Sequence, residues 1–204
     1  MTENNVSIIG YSGHSFVCLD IMYLRGYAIH GYYDKIKKLI NPYNLKFLGS
    51  EDNSSIEEKL FISIGDNAIR NKIYSNLKKL KLNIDFNLIH PSAIISKSVD
   101  LESQILVCAN AVINPMARIK KGVIINTNSV VEHECIIGDF SHIAPSATLC
   151  GNVKIGKRCL IGANSTILPN LKIGDDVVIG AGTTITKNIE SNSIVYDNFK
   201  NKVK

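Results

Sequence analysis

The sequence has no tryptophan, few prolines and five cysteines, none of them in a Cys-x-x-Cys pair. The odd set Cys18, Cys108, Cys135, Cys150 and Cys159 argues against a disulfide framework, and the missing paired spacing argues against a zinc ribbon. Long apolar runs are absent too. Met1 to Asn5 is polar and the run that follows, Val6 to Ile9, is too short for the apolar stretch of a signal peptide. Nothing approaches the roughly 20 apolar residues that span a bilayer. These absences predict a cytoplasmic protein without membrane insertion. Charge is modest: the formal net charge of +5 fits an anionic ligand such as a nucleotide, although mild basicity is more often just a solvated surface, and no nucleic-acid partner is expected.

A strict repeat is present. Stepping by six from Ile95 gives Leu101, Val107, Ile113, Ile119, Ile125, Val131, Ile137, Ile143, Leu149, Ile155, Ile161, Ile167, Ile173, Ile179 and Ile185, all Ile, Leu or Val. Two residues before each of these runs a second column of mostly small or β-branched residues, from Ala93 and Val99 to Val177 and Thr183. A period of six sustained this far is that of a hexapeptide parallel β-helix, in which two side chains per six point inward and three short strands close a triangular coil of eighteen residues. Gly or Asn often follows the main column, as at Asn114, Asn126, Gly138 and Gly156, and these positions are expected to turn the corners with positive φ. Cys135 and Cys159 fall at inward small-residue positions and Cys108 and Cys150 at corners, so packing accounts for them.

Before the repeat the pattern is one of alternating strands and helices. Strands are expected at Val6–Ile9, Ala28–Tyr33, Leu60–Ile64 and Phe86–Ile89. Helices are expected at Phe16–Leu24, with Val17, Ile21 and Leu24 inward, and at Ala68–Leu80, with Ile69, Ile73, Leu77 and Leu80 inward. Such alternation implies a small Rossmann-like parallel sheet. The fold class is therefore an α/β N-terminal nucleotide-binding unit, residues 1–90, followed by a parallel β-helix, residues 91–204. Ligands of open α/β sheets sit beyond the carboxyl ends of the strands. There the sequence places Gly10-Tyr11-Ser12-Gly13-His14, Asp34, and Gly65-Asp66-Asn67. The glycine-rich turn leads into a helix N-terminus able to meet phosphate, but it lacks the third glycine of the dinucleotide fingerprint.

The chemistry candidates are Glu132-His133-Glu134 and His142. Neither histidine is inward. His133 has a general base's chemistry, with Glu134 to orient it, and His142 could hold a carbonyl oxygen as charge develops on it. Nine residues separate them, half a coil, so they lie on different sides of one prism and would meet only across an interface between prisms. A zinc site needs three converging imidazoles, and only these two lie within the repeat. No metal is expected.

The residues Gly10–His14, Ile64–Arg70, Asn126 through His142 and Gly151–Gly156 resemble those of the bacterial hexapeptide sugar acetyltransferases of the PglD/NeuD type, which include UDP-4-amino-sugar N-acetyltransferases and sialic acid O-acetyltransferases. The resemblance covers almost the whole chain and implies a left-handed β-helix, a homotrimer and acetyl-CoA as co-substrate. It assigns His133 as catalytic base supported by Glu134, and places His142, Gly151 and Ala163 against acetyl-CoA. It gives Ser12, Gly13, His14, Asp34, Gly65 and Asn67 to a nucleotide-linked amino sugar. The implied reaction is acetylation of the 4-amino group of a 4,6-dideoxy sugar, UDP-linked by preference, with O-acetylation of a sialic acid or a non-catalytic sugar-binding role as the alternatives. One departure is the C-terminus, Val195-Tyr196-Asp197-Asn198-Phe199 and a Lys-rich tail with Lys200, Lys202 and Lys204, where the family has a Gly-x-Pro-Ala-Lys-like segment near the coenzyme.

Overall fold

The computed structural model describes residues 5–51 and 56–196; Lys200, Lys202, Lys204 and the segment 197–199 lie outside the described residues. The chain begins with β1 (Asn5–Ile9), α1 (Gly13–Leu24), β2 (Ala28–Tyr33), β3 (Lys59–Ile62) and α2 (Asn67–Lys79). The three strands form a parallel sheet of order β2-β1-β3. Ile8 of β1 sits between Tyr32 and Phe61 of its neighbours, all buried.

A fourth strand was expected in this sheet over Phe86–Ile89. Only Leu88–Ile89 (β4) is a strand, and it pairs with Leu106–Val107 as the first rung of the following solenoid. The reason is visible in the period: one more step of six back from Ile95 reaches Ile89, which continues the inward column.

From β4 onward the chain is a left-handed parallel solenoid of two-residue strands. They stack into three faces of seven, six and five strands. The first face starts at Leu88–Ile89 and carries Ile124–Ile125 and His142–Ile143; the second carries Val130–Val131; the third carries Ile136–Ile137. Residues pair eighteen apart, as Ile124 with His142 and His142 with Leu160. Both expected columns face a dry interior, where Ile113, Ile125, Val131, Ile143 and Ile161 have no solvent exposure. Buried Ser141 donates from its hydroxyl to the Gly156 carbonyl at 2.7 Å, so this inward polar position is satisfied. The inward cysteines also pack as expected, and burial pushes the Cys135 thiol up to about 11. In the last coil the pairing interval shortens: Val178 meets Ile194 and Ile179 meets Val195, sixteen apart.

The corners differ from expectation. Positive φ falls on the third residue after the column, at Asn110, Met116, Asn128, Glu134, Phe140 and Asn152 among others, and not on the residue directly after it. At this third position the N–H donates to the preceding coil, as Glu134 N–H to the Pro115 carbonyl at 3.0 Å. These bonds hold even Phe and Met in a conformation that otherwise costs about 1–2 kcal/mol. The glycines directly after the column serve close approach instead: a Cβ on Gly138 would stand 2.5 Å from the Gly156 carbonyl oxygen.

The N-terminal unit docks on the first face. Outward Leu88, Leu106 and Ile124 are buried beneath α1, packed with Cys18, Leu19, Ile21 and Met22. Because α1 touches its own sheet on one side and the solenoid on another, it lacks a single apolar stripe. Its inward set is Ser15, Cys18, Leu19, Ile21 and Met22, while Val17 and Leu24, expected inside, are exposed. In α2 the inward residues are Arg70, Tyr74 and Leu77, and Ile69, expected inside, is exposed. Buried Gln104 of the solenoid completes the joint, accepting from the Ile62 N–H and donating to the Leu60 and Ile84 carbonyls.

Candidate active site

His133 stands at the corner between the second and third faces, just after Val130–Val131. Its Nδ1 lies 3.0 Å from Glu134 Oε2, and both side chains are more than half exposed. A carboxylate only accepts, so this contact assigns the proton to Nδ1 and leaves Nε2 with a free lone pair. Glu134 reaches the ring because its backbone is left-handed, φ 61°. One coil further on stands Gly151. A Cβ there would lie 2.7 Å from Cε1 and Nε2 of His133, so glycine makes the room the imidazole occupies.

His142 occupies the fourth outward position of the first face, where the buried run Leu88, Leu106, Ile124 ends at the edge of the N-terminal unit. Asn126 sits beside it, with Nδ2 3.0 Å from His142 Nε2. The Asn126 Oδ1 already accepts from the Thr127 N–H at 2.8 Å, which fixes the amide so that its NH₂ faces the ring. Nε2 of His142 is then an acceptor, and the neutral ring carries its proton on Nδ1. The His14 ring approaches to 6.3 Å between centroids. Burial, aided by the Arg70 cation, lowers His14 to about 4. The same burial, with Arg70 and His14, lowers His142 to about 3. Both rings are neutral at pH 7.

Arg70 holds these parts together. Its buried guanidinium donates from Nε to the Gly122 carbonyl (2.8 Å), from Nη1 to the Ile64 and Gly65 carbonyls (3.0 and 2.8 Å), and from Nη2 to Asn67 Oδ1 and the Phe140 carbonyl (2.8 and 2.9 Å). Burial lowers it to about 10, which leaves it a cation. Asn67 in turn donates from Nδ2 to the Arg158 and Cys159 carbonyls. The Gly65–Asn67 turn is thereby fastened across the solenoid beside His142, and Gly65, Asn67, His142 and Arg158 line one cleft. Sequence reasoning missed Arg70 because a charged residue at helical spacing reads as a solvated face; its signal was the adjacent Gly65-Asp66-Asn67 turn.

At the carboxyl ends of the N-terminal strands lies a separate cavity of about 240 Å³, lined by Gly10, Ser12 and Asp34 among others. Gly10 has φ 86°, and a Cβ there would strike the Ile64 side chain at 2.5 Å. Asp34 accepts the Tyr11 N–H at 3.1 Å and pairs with Lys38 Nζ at 3.1 Å. Ser12 caps α1, its N–H donating to Ser15 Oγ at 2.9 Å, and Gly13 opens the helix.

Within one chain, then, His14, Gly65 and Asn67 meet His142, and Ser12 and Asp34 share a cavity nearby. His133, Glu134 and Gly151 gather at the corner opposite the first face. Ala163 lies at a third corner, where its carbonyl accepts from Gly182 N–H, and is not brought beside Gly151. Among the described residues no group of three or more His, Cys, Asp or Glu is arranged to hold a metal ion, and no helix is long and apolar enough to cross a membrane.

Residues 5–77 match the PglD N-terminal domain, and residues 152–187 match the bacterial transferase hexapeptide of six repeats. Among solved structures, the chain is similar to a variant of perosamine N-acetyltransferase from Caulobacter crescentus in complex with CoA and GDP-perosamine. The identity is 28%, the match covers 94% of this chain and 93% of that one, and the TM-score is 0.88. The acetyltransferase domain of PglB from Neisseria gonorrhoeae in complex with acetyl coenzyme A is 29% identical over 96% of this chain and 97% of that one, with a TM-score of 0.88. WeeI from Acinetobacter baumannii shares the fold at 22% identity, covering 95% and 96% of the two chains, with a TM-score of 0.86.

Proposed function

On the premise that a PglD-type N-terminal domain joined to hexapeptide repeats makes this chain one of the PglD/NeuD-like sugar acetyltransferases, we propose that it moves an acetyl group from acetyl-CoA to the 4-amino group of a nucleotide-linked 4-amino-4,6-dideoxy sugar. The observation that carries this reading is the His133–Glu134 pair with its bare Nε2, set in a chain similar almost end to end to a perosamine N-acetyltransferase in complex with CoA and GDP-perosamine and to an acetyltransferase domain in complex with acetyl coenzyme A. The expectation of a uridine base rests on the resemblance alone.

The chemistry is direct transfer. The sugar amine attacks the thioester carbonyl carbon, and its proton passes to His133 Nε2 as the C–N bond forms. The carbonyl oxygen gathers negative charge, which the Nδ1–H of His142 is suited to receive. Collapse expels the CoA thiolate, and the proton on His133 returns to that sulfur. Glu134 holds the imidazole in the tautomer that can accept and stabilises the imidazolium between the two transfers. No acyl-enzyme is required.

The two histidines stand on opposite sides of one prism, so the complete site forms where the His133 corner of one protomer meets the first face of another. A cyclic homotrimer satisfies this with a single repeated interface. Ser12, Gly13, His14 and Asp34 bind the nucleotide sugar, and the N–H groups at the start of α1 meet its phosphates. Gly65 and Asn67 shape the passage towards His142. Gly151 lies beside the reacting thioester, and Ala163 contributes backbone along the pantetheine.

The test is mass spectrometry of GDP- and UDP-linked 4-amino-4,6-dideoxy sugars incubated with acetyl-CoA and the protein. One acetyl group should be gained on one of them, and His133→Ala should lower turnover about a thousandfold without changing the fold. Near-normal turnover in a correctly folded His133→Ala protein would remove the base assignment.

A further inference from the structure

The cavity at the ends of β1 to β3 distributes its chemistry unevenly. Ile64, Ile69 and Ile73 give it an apolar wall, and Ile69 is 51% exposed there although a helix of this length could have buried it. The charged lining residues are Asp34, Lys35, Lys38 and Glu51. Asp34 is already engaged by the Tyr11 N–H and by Lys38. Glu51 is therefore the second carboxylate among the described residues of this lining, and no mechanistic step uses it.

An apolar wall and a carboxylate lining one cavity suit a planar heterocycle with N–H donors on its rim. Carboxylate oxygens only accept, and they bond most strongly to two parallel donors. The nucleobases differ sharply in this respect. Guanine presents N1–H and an N2 amino hydrogen side by side, matching both oxygens. Uracil presents one N–H between two carbonyls, so a carboxylate gains one bond and faces a repelling oxygen. Adenine and cytosine place an amino group beside a bare ring nitrogen, with the same conflict. We propose that Glu51 reads the base of the acceptor and that the cavity selects guanosine diphosphate-linked sugars over uridine-linked ones. This rests on the nucleotide-sugar reading given above and replaces its uridine expectation.

The experiment is calorimetric titration of the full-length protein with GDP and with UDP, for the parent and for Glu51→Gln. A second thermal-shift measurement with acetyl-CoA confirms that each sample is folded. The parent should bind GDP at least about tenfold more tightly than UDP, the discrimination expected of one bidentate contact. Glu51→Gln keeps the size but offers guanine one acceptor and one clashing donor, so it should weaken GDP about tenfold; the same amide matches the N–H and a carbonyl of uracil, so UDP should bind at least as tightly as to the parent. Equal or tighter UDP binding by the parent, or an unchanged ratio in Glu51→Gln, would overturn the guanine assignment and leave the nucleotide-sugar reading standing. Binding of neither nucleotide at millimolar concentration would overturn both.

Discussion

In the solenoid, a residue's neighbours above and below are residues of its own column, eighteen positions away in every described coil but the shortened last one. In the N-terminal unit each contact is made once. Leu19 packs with the outward residues of the first solenoid face, Arg70 reaches Gly122 and Phe140, and neither arrangement recurs among the described residues. The solenoid's stability is thus spread over many small equal terms, whereas the N-terminal unit hangs on a few large ones. The proposed chemistry uses both: a base on an exposed corner of the regular part, and a ligand pocket in the irregular part.

Substituting the clamp should separate the two regions most clearly. Arg70→Met strands five neutral accepting oxygens and is expected to destabilise the N-terminal unit by about 4 kcal/mol, the cost of leaving several buried acceptors without a donor. Scanning calorimetry should then show an early transition for the N-terminal unit ahead of the solenoid. A single transition that moves as a whole would mean the two regions unfold as one.

A smaller effect comes from pH. His142 titrates near 6.5 when unfolded and is lowered to about 3 in the fold by burial, Arg70 and His14. Between those values the unfolded chain binds the extra proton, so the contribution is whole above pH 6.5 and is lost as the solution is acidified. By pH 5 the loss is about 2 kcal/mol from this group, at 1.36 kcal/mol per unit. Denaturant titrations at pH 7 and pH 5 should show it together with a similar loss from His14, which burial lowers to about 4, and His142→Asn should remove about half of that histidine-linked difference. An equally steep dependence in His142→Asn would place the titration elsewhere.

The smallest expected effects lie on α1. Leu24→Ser and Val17→Ser should each change stability by less than about 0.5 kcal/mol, because both side chains are exposed. Leu19→Ala, by contrast, should destabilise by about 3 kcal/mol by opening a cavity. Equal losses at Leu24 and Leu19 would restore the helix face expected from spacing alone.

That last contrast shows where the sequence is legible. The solenoid could be read residue by residue, since one period fixes which side chains face in, and even the error over Leu88–Ile89 is cured by one more step of six. The position of positive φ was misplaced because glycine and asparagine recur at two corner sites, one for close approach and one for the left-handed turn. The helices of the N-terminal unit were located, but their inner faces were not. A helix packed on two sides carries no single stripe, and a buried arginine is legible only from the carbonyls it serves. For the candidate site, the sequence picked out His133, Glu134 and His142. It did not show that Asn126 sets the tautomer of His142, because that depends on a pairing between strands.

The shortened last coil shows where this fold tolerates a change of length. Ile194 still stacks on Val178, Val195 on Ile179 and Ile189 on Ile173, so the inward columns continue in register although the interval has fallen to sixteen. The two residues are saved between Ile185 and Ile189, where the chain turns from one face to the next, and not within a strand. Length is therefore fixed where side chains stack and negotiable where the backbone turns, and the corners are where deletions cost this solenoid least.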